Sequence, residues 1–209
     1  MLATNEAQVS LENGDCMSRE EFHRRYLARP DIKKAELISG VVYVLSPVRF
    51  DRHSQQHFLV VGWLGMYVAL TPGVQPGGDN ATVYLEGGHE VQPDAFLWQP
   101  ELGDAYLNDE GYLVGPPQLI VEVSASSVSY DLHQKMEAYR SNGVPEYVVW
   151  RVLDRAIDWF RLVQDAYVRV EPDAEGVIES VQFPGLRLHV PSMLAGDLAG
   201  VLARLQPRA

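Results

Sequence analysis

Four side chains have the types and spacing to do chemistry together: Glu36, Asp94 and Glu122, each an acid among apolar neighbours, and Lys135, four residues after Asp131. Glu122 is the plainest case, because it interrupts the run "QLIVEVS", and a lone carboxylate taken out of water either changes its protonation or finds a partner. One ordinary partner is a protein group, in a satisfied core carboxylate or a structural ion pair. The other is a hard cation, since oxygen ligands from two adjacent strands can hold Mg²⁺ or Mn²⁺ while water completes the shell. Asp131 and Lys135 spell either an exposed i,i+4 ion pair or, where a helix starts at the end of the strand carrying Glu122, an amine leaning back over that acid. By residue type alone, Asp94 and Glu122 also suit a carboxylate pair acting on a sugar, whose signature is metal-independent hydrolysis.

The elements that must position these groups are legible in outline. "SREEFHRRYLA" opens with a capping-box pattern, Ser18 and Glu21, and predicts a helix near 18–28. "AELISGVVYVLSP" reads as a hairpin turning at Ser39-Gly40 and closed by Pro47, with Glu36 near its start. The segment 51–70 reads as a helix, and His53, ahead of its apolar part, is either a cap or core group or one that contacts substrate or orients an acid. "ATVYL" and "EVQPDAFLW" form a second strand pair, a connector spans 99–117, and "QLIVEV" is a strand covered on both faces. A helix near 130–142 then links it to "PEYVVWRV" in a parallel strand, helix, strand unit. A hairpin over "AIDWFRLV" and "AYVRV", two further strands and one amphipathic terminal helix complete the chain.

At 209 residues the chain is long enough for one sizeable core. We therefore read a flexible N-terminal tail over 1–16 and a single domain over 17–209. The longest uncharged apolar run, 58–70, is too short to span a bilayer, so no membrane role is expected. Cys16 is the only cysteine, which excludes an intrachain disulfide and points to a reducing cytoplasm. The net charge of -11 repels nucleic acid unless cations gather on one face. Arg19, Arg24, Arg25, Lys33, Lys34, Arg49 and Arg52 do gather in the first quarter, either as a substrate-facing edge or as a surface balancing local acids. Trp63, Trp98, Trp150 and Trp159 belong to core or dimer packing. A homodimer is expected from the apolar terminal helix and aromatic strands.

"PDAFL" at 93–97, followed by "LIVEVSASSVSYDLHQKMEAYRSNGVPEYVVW" at 119–150, resembles the Uma-two family of restriction-endonuclease-like proteins, within the PD-(D/E)xK nuclease superfamily. Glu36 and His53 match that family's N-terminal half. The resemblance implies an α/β fold with a restriction-endonuclease-like core, a mixed β-sheet flanked by helices. It also implies a Mg²⁺- or Mn²⁺-dependent endonuclease acting on DNA. Asp94 and Glu122 would be metal ligands, with the backbone carbonyl of Val123 a third, and Lys135 the catalytic lysine. Glu36 would be an outer carboxylate and His53 a supporting group. Ser124 occupies the place where the superfamily has its lysine, two residues after the strand acid, so the amine would come from the following helix. A rival reading keeps the fold without the reaction, as a module acting through self-association or a protein partner.

Overall fold

The computed structural model describes residues 10–45, 50–78 and 81–206, apart from the side chain of Arg52. Pro47 and Arg49, both used in the sequence reading, lie outside these residues. Helix α1 (Arg19–Leu27) begins at Ser18, whose hydroxyl accepts from the Glu21 N–H. The Glu21 carboxylate turns instead to Arg24 and Arg25, so only half of the capping box forms. Of the expected tail, residues 1–9 are not described. Within the rest, Leu11 is buried beside Phe22 and Val42, and Gly14 donates to the Val42 carbonyl.

Strands β1 (Ala35–Ile38) and β2 (Val41–Val44) pair antiparallel across the Ser39-Gly40 turn. They continue into β5 (His89–Val91), β4 (Val83–Leu85), β8 (Leu113–Val114) and β7 (Tyr106–Leu107), which complete a six-stranded sheet. A second six-stranded sheet runs β12 (Ala166–Val170), β11 (Ala156–Val163), β10 (Glu146–Arg151), β9 (Leu119–Ser124), β6 (Ala95–Trp98) and β3 (Gln75–Gly78). Strands β9 and β10 are parallel. Their crossover carries α3 (Val128–Tyr130), a π-helical turn over Asp131–Lys135 and α4 (Met136–Ser141). A β13 (Val177–Glu179) and β14 (Arg187–His189) ribbon stands apart.

The fold is thus mixed α/β with two large sheets, where the sequence suggested one. The difference arises at Pro93. The stretch 90–98, expected as one strand, divides there into β5 of the first sheet and β6 of the second, because proline cannot continue a ladder. Strand β3 had no apolar pattern to announce it. Its glycines are required by close approach: a Cβ on Gly77 would sit 1.9 Å from the Phe96 ring, and one on Gly78 2.6 Å from the Asp94 carbonyl. The expected terminal helix also divides, into α5 (Val190–Ala195) and α6 (Leu198–Leu202), at Gly196 in the left-handed conformation.

One apolar layer fills the wedge between the sheets, from Ile38, Val83 and Val91 to Phe96, Ile120 and Tyr147. A second lies between the sheet that contains β9 and β10 and α2 (Gln55–Leu70), with α5 and α6 closing it, and takes in Trp63, Trp150 and Trp159. All four tryptophans are buried, in keeping with core roles. No helix of the described residues is long and apolar enough to cross a membrane.

Glu146, in the "GVPEY" motif, is 1% exposed and binds the second layer together. Its carboxylate accepts from Trp159 Nε1, Arg161 Nε, the Val181 N–H and the Ser180 hydroxyl. Truncation strands all four donors, so Glu146→Ala should lower the unfolding free energy by about 3 kcal/mol. Urea denaturation checks this, with Glu146→Gln expected to recover part of the loss.

Candidate active site

The corner between the two sheets gathers charge. Successive residues of a strand point to opposite faces, so Lys34, just before β1, and Glu36 within it turn to the same side. Lys34 is held there by the Leu45 N–H, which donates to its carbonyl. Asp94 opens β6. The antiparallel register sets Ala95 opposite Val121, and one step further sets Asp94 opposite Glu122 on a common face. Strand β9 presents Glu122 and Ser124 to that face, and the crossover helix presents Asp131, Lys135 and Tyr139 at successive steps of four.

Lys135 sits at the centre. Its Nζ lies 2.6 Å from Glu122 Oε1, 3.0 Å from Glu36 Oε1 and 4.0 Å from Asp131 Oδ1. The ring of Tyr130 faces the ammonium at 5.8 Å, a cation–π distance. Lys135 is 1% exposed, and Glu122, Glu36 and Asp131 hold it protonated, well above its ordinary range, against the opposing effect of burial. The sequence alternative of an exposed i,i+4 pair is therefore not what forms.

Each acid has its own set of donors. Glu122 accepts from the Tyr139 hydroxyl at 2.9 Å, and Glu36 from the Gln92 N–H at 2.7 Å and Tyr130 at 3.2 Å. Asp131 accepts from Ser124. Asp94 accepts from the Val123 N–H at 2.8 Å, faces His53 Nε2 at 3.1 Å and pairs with Lys34 Nζ at 2.9 Å. His57 donates to the Asp94 carbonyl at 2.8 Å, fixing the strand start itself.

The two strand acids are driven apart electrostatically. Burial pushes the Glu122 carboxyl up to about 8, Lys135 pulling it back and the Asp94 charge adding to the rise. Burial acts on Asp94 in the same sense, yet His53 and Lys34 hold its carboxyl well below the usual range. Asp131 is also raised by burial, against the pull of Lys135. Active sites split the protonation of neighbouring groups through burial and charge in this way, as buried ion-pair networks also do.

The donor set suits a hard divalent ion. Four carboxyl groups, from Glu36, Asp94, Glu122 and Asp131, meet two ammonium groups, Lys34 and Lys135; with Glu122 and Asp131 raised by burial, a divalent cation would be the charge that lets them ionise together. Among the described residues no three His, Cys, Asp or Glu side chains form a ready-made cage. A cation here would use two acids, backbone oxygen and water, as weakly dehydrating Mg²⁺ commonly does.

The structure thus brings Glu36, Asp94, Glu122, Lys135, His53 and the Val123 backbone to one place. Sequence reading offered Lys34 only as one of a basic cluster and Asp131 only as a partner of Lys135, and it missed the grouping of Ser124, Tyr130 and Tyr139 with them. The available signal was spacing: Asp131, Lys135 and Tyr139 share a helical stripe, and Lys34 and Glu36 share a strand face. The basic cluster of the first quarter resolves differently. Arg24 and Arg25 both engage Glu21 at 2.7 and 2.6 Å, so those two balance a local acid, whereas Lys34 faces the site.

Residues 19–191 match the model of a family described as "Uma2: Putative restriction endonuclease". Among solved structures, the chain is similar to one described as "a putative nuclease belonging to DUF820 from Anabaena variabilis ATCC 29413". The TM-score is 0.65 at 14% identity, with 86% of this chain and 98% of that chain covered; the likeness is one of fold. No curated protein matches.

Replacing Lys135 by Met would leave three buried carboxylates without their shared cation, at a cost of about 3–5 kcal/mol. The lost charge pushes the carboxyls of Glu122 and Asp131, already raised by burial, still higher, and a raised folded-state carboxyl pKa costs stability increasingly as pH rises from the unfolded value through the folded one. Melting of Lys135→Met in chelator should therefore fall further below the parent at pH 8 than at pH 5.

Proposed function

The chain belongs to the Uma2 family, and on that footing we propose that it is a divalent-metal-dependent endonuclease hydrolysing phosphodiester bonds in DNA. The observation that carries this reading is the excess of buried carboxylate over ammonium at the corner between the sheets, with Asp94 and Glu122 on facing strand positions. Asp94, Glu122 and the carbonyl of Val123 would hold the ion. A bound Mg²⁺ or Mn²⁺ supplies Lewis acidity at the scissile phosphate and lowers the pKa of a bound water.

The protein's own groups do the rest. Lys135 holds Glu122 and Glu36 in fixed orientation and keeps their charge tolerable in a dry setting, and thereby sets the position of a water bound at Glu122. Tyr139 fixes the other side of the same Glu122 oxygen. His53 and the Val123 N–H keep Asp94 ionised and aimed. Such preorganisation costs nothing at the moment of reaction, which is why it lowers the barrier.

A sugar-directed carboxylate pair is less well supported, because Glu122 is buried beneath Lys135 and Tyr139, which a glycosidic oxygen would have to displace before that acid could protonate it. Self-association is retained as part of the proposal, on a surface other than the one expected from sequence. Met193 and Val201 of the terminal helices are buried, while the uncharged α2 exposes Phe58, Val61, Met66 and Leu70. If a second copy covers that face, Phe58→Glu with Val61→Glu should convert a dimer to a monomer in sedimentation velocity.

Plasmid nicking with Mg²⁺ or Mn²⁺, against a chelator control, tests the activity. Asp94→Asn and Glu122→Gln should abolish cleavage and Mn²⁺ binding by titration calorimetry. Lys135→Ala should retain Mn²⁺ binding and lose at least about a hundredfold in rate. Cleavage that persists in chelator, or a Lys135→Ala variant as fast as the parent, contradicts the assignment.

A further inference from the structure

The site has a sealed half and an open half. Side chains of Glu36, Glu122, Lys135 and Asp131 are 0%, 3%, 2% and 5% exposed. Lys34 and His53 keep 20% and 18% of their surface, flanking Asp94 at 9%. The buried ammonium is also fully committed, with three carboxylates around it and an aromatic face beside it. For a phosphate to reach Lys135 it would have to displace Glu122 or Glu36 from that ammonium, into a space those acids already charge negatively.

Lys34 differs on each count. Among the described residues it has a single carboxylate partner, Asp94, at 2.9 Å. Its stem starts at a residue pinned by the hairpin bond from Leu45, so the ammonium is delivered to the mouth of the site by rigid backbone. An anion approaching a protein of net charge -11 needs a cation on the side from which it arrives. Arg24 and Arg25, close by in sequence, are tied to Glu21.

We propose that Lys34 is the group that meets the scissile phosphate, and that Lys135 is a positioning residue that never touches substrate. This assignment rests on the phosphodiester reading above and divides between two lysines the work expected of one. Lys34 donates to a non-bridging phosphate oxygen while remaining beside Asp94, so that it links the anionic substrate to the acid that would hold the metal. A lysine suits this place because its compact charge can be shared between a carboxylate and a phosphate on one side.

Reductive methylation with formaldehyde and a borohydride reductant, read by mass spectrometry, separates the two lysines without needing turnover. In the free protein Lys34 should label and Lys135 should not. Inorganic phosphate and a short DNA duplex, used as separate probes, should each protect Lys34. Failure of Lys34 to label, or equal labelling with and without both probes, overturns the proposal. Protection in a protein that cuts no DNA under any metal leaves the phosphate contact standing and sinks the hydrolytic reading instead. In the active protein Lys34→Gln should raise the half-saturating DNA concentration at least about tenfold, with Lys34→Arg restoring most of it and melting unchanged within a few degrees. Cleavage by Lys34→Gln with parental half-saturation also overturns the proposal.

Discussion

One ammonium group makes this site possible. Glu36, Glu122 and Asp131 come from three separate elements and are withdrawn from water, an arrangement whose desolvation cost no single pairwise contact offsets. Lys135 stands within reach of all three. Around it the remaining lone pairs are filled by hydroxyls and backbone N–H groups, from Tyr139, Tyr130, Ser124 and Gln92. A polar network buried this deeply is stable only when nearly complete, and the strand register, the crossover helix and the sheet corner all have to be right for it to close.

That dependence runs in both directions. Pro93 ends β5 and lets the chain cross from one sheet to the other, and the next residue after the break is Asp94. The acid therefore sits where the ladder is interrupted, with its carboxylate taking the N–H of Val123 from the neighbouring strand. On the edge beyond it, Gly77 and Gly78 allow β3 to lie directly against Phe96 and the Asp94 backbone. Both π-helical segments among the described residues, over Phe50–Ser54 and Asp131–Lys135, carry candidate site residues, His53 and Lys135. Such widened turns re-aim side chains that a regular helix would direct elsewhere.

The electrostatics reconcile an acidic protein with an acidic substrate. Negative charge is concentrated inside, where it would attract a metal ion, and the cations that contact it are ordered by depth: Lys135 within, Lys34 at the mouth. The overall charge then says little about what the site accepts, because exposed charges farther off than a Debye length are screened by salt, whereas the buried charges around the site are screened much less and act at close range.

The types and spacing of the candidate residues were readable from the sequence. An acid in an apolar strand and a lysine four residues from an aspartate each announce themselves by type and spacing, as did the hairpin at Ser39-Gly40 and the parallel β9 and β10 pair, because turn chemistry and hydrophobic period are local properties. The division into two sheets was not readable, since it depends on which neighbour each strand finds once Pro93 has broken the run, and neither was β3, whose Gly-Pro composition carries no apolar period. Nor could spacing say that Lys135 is enclosed while Lys34 stays open. That ordering follows from how deep each element lies in the wedge between the sheets, and depth is a property of the packed molecule.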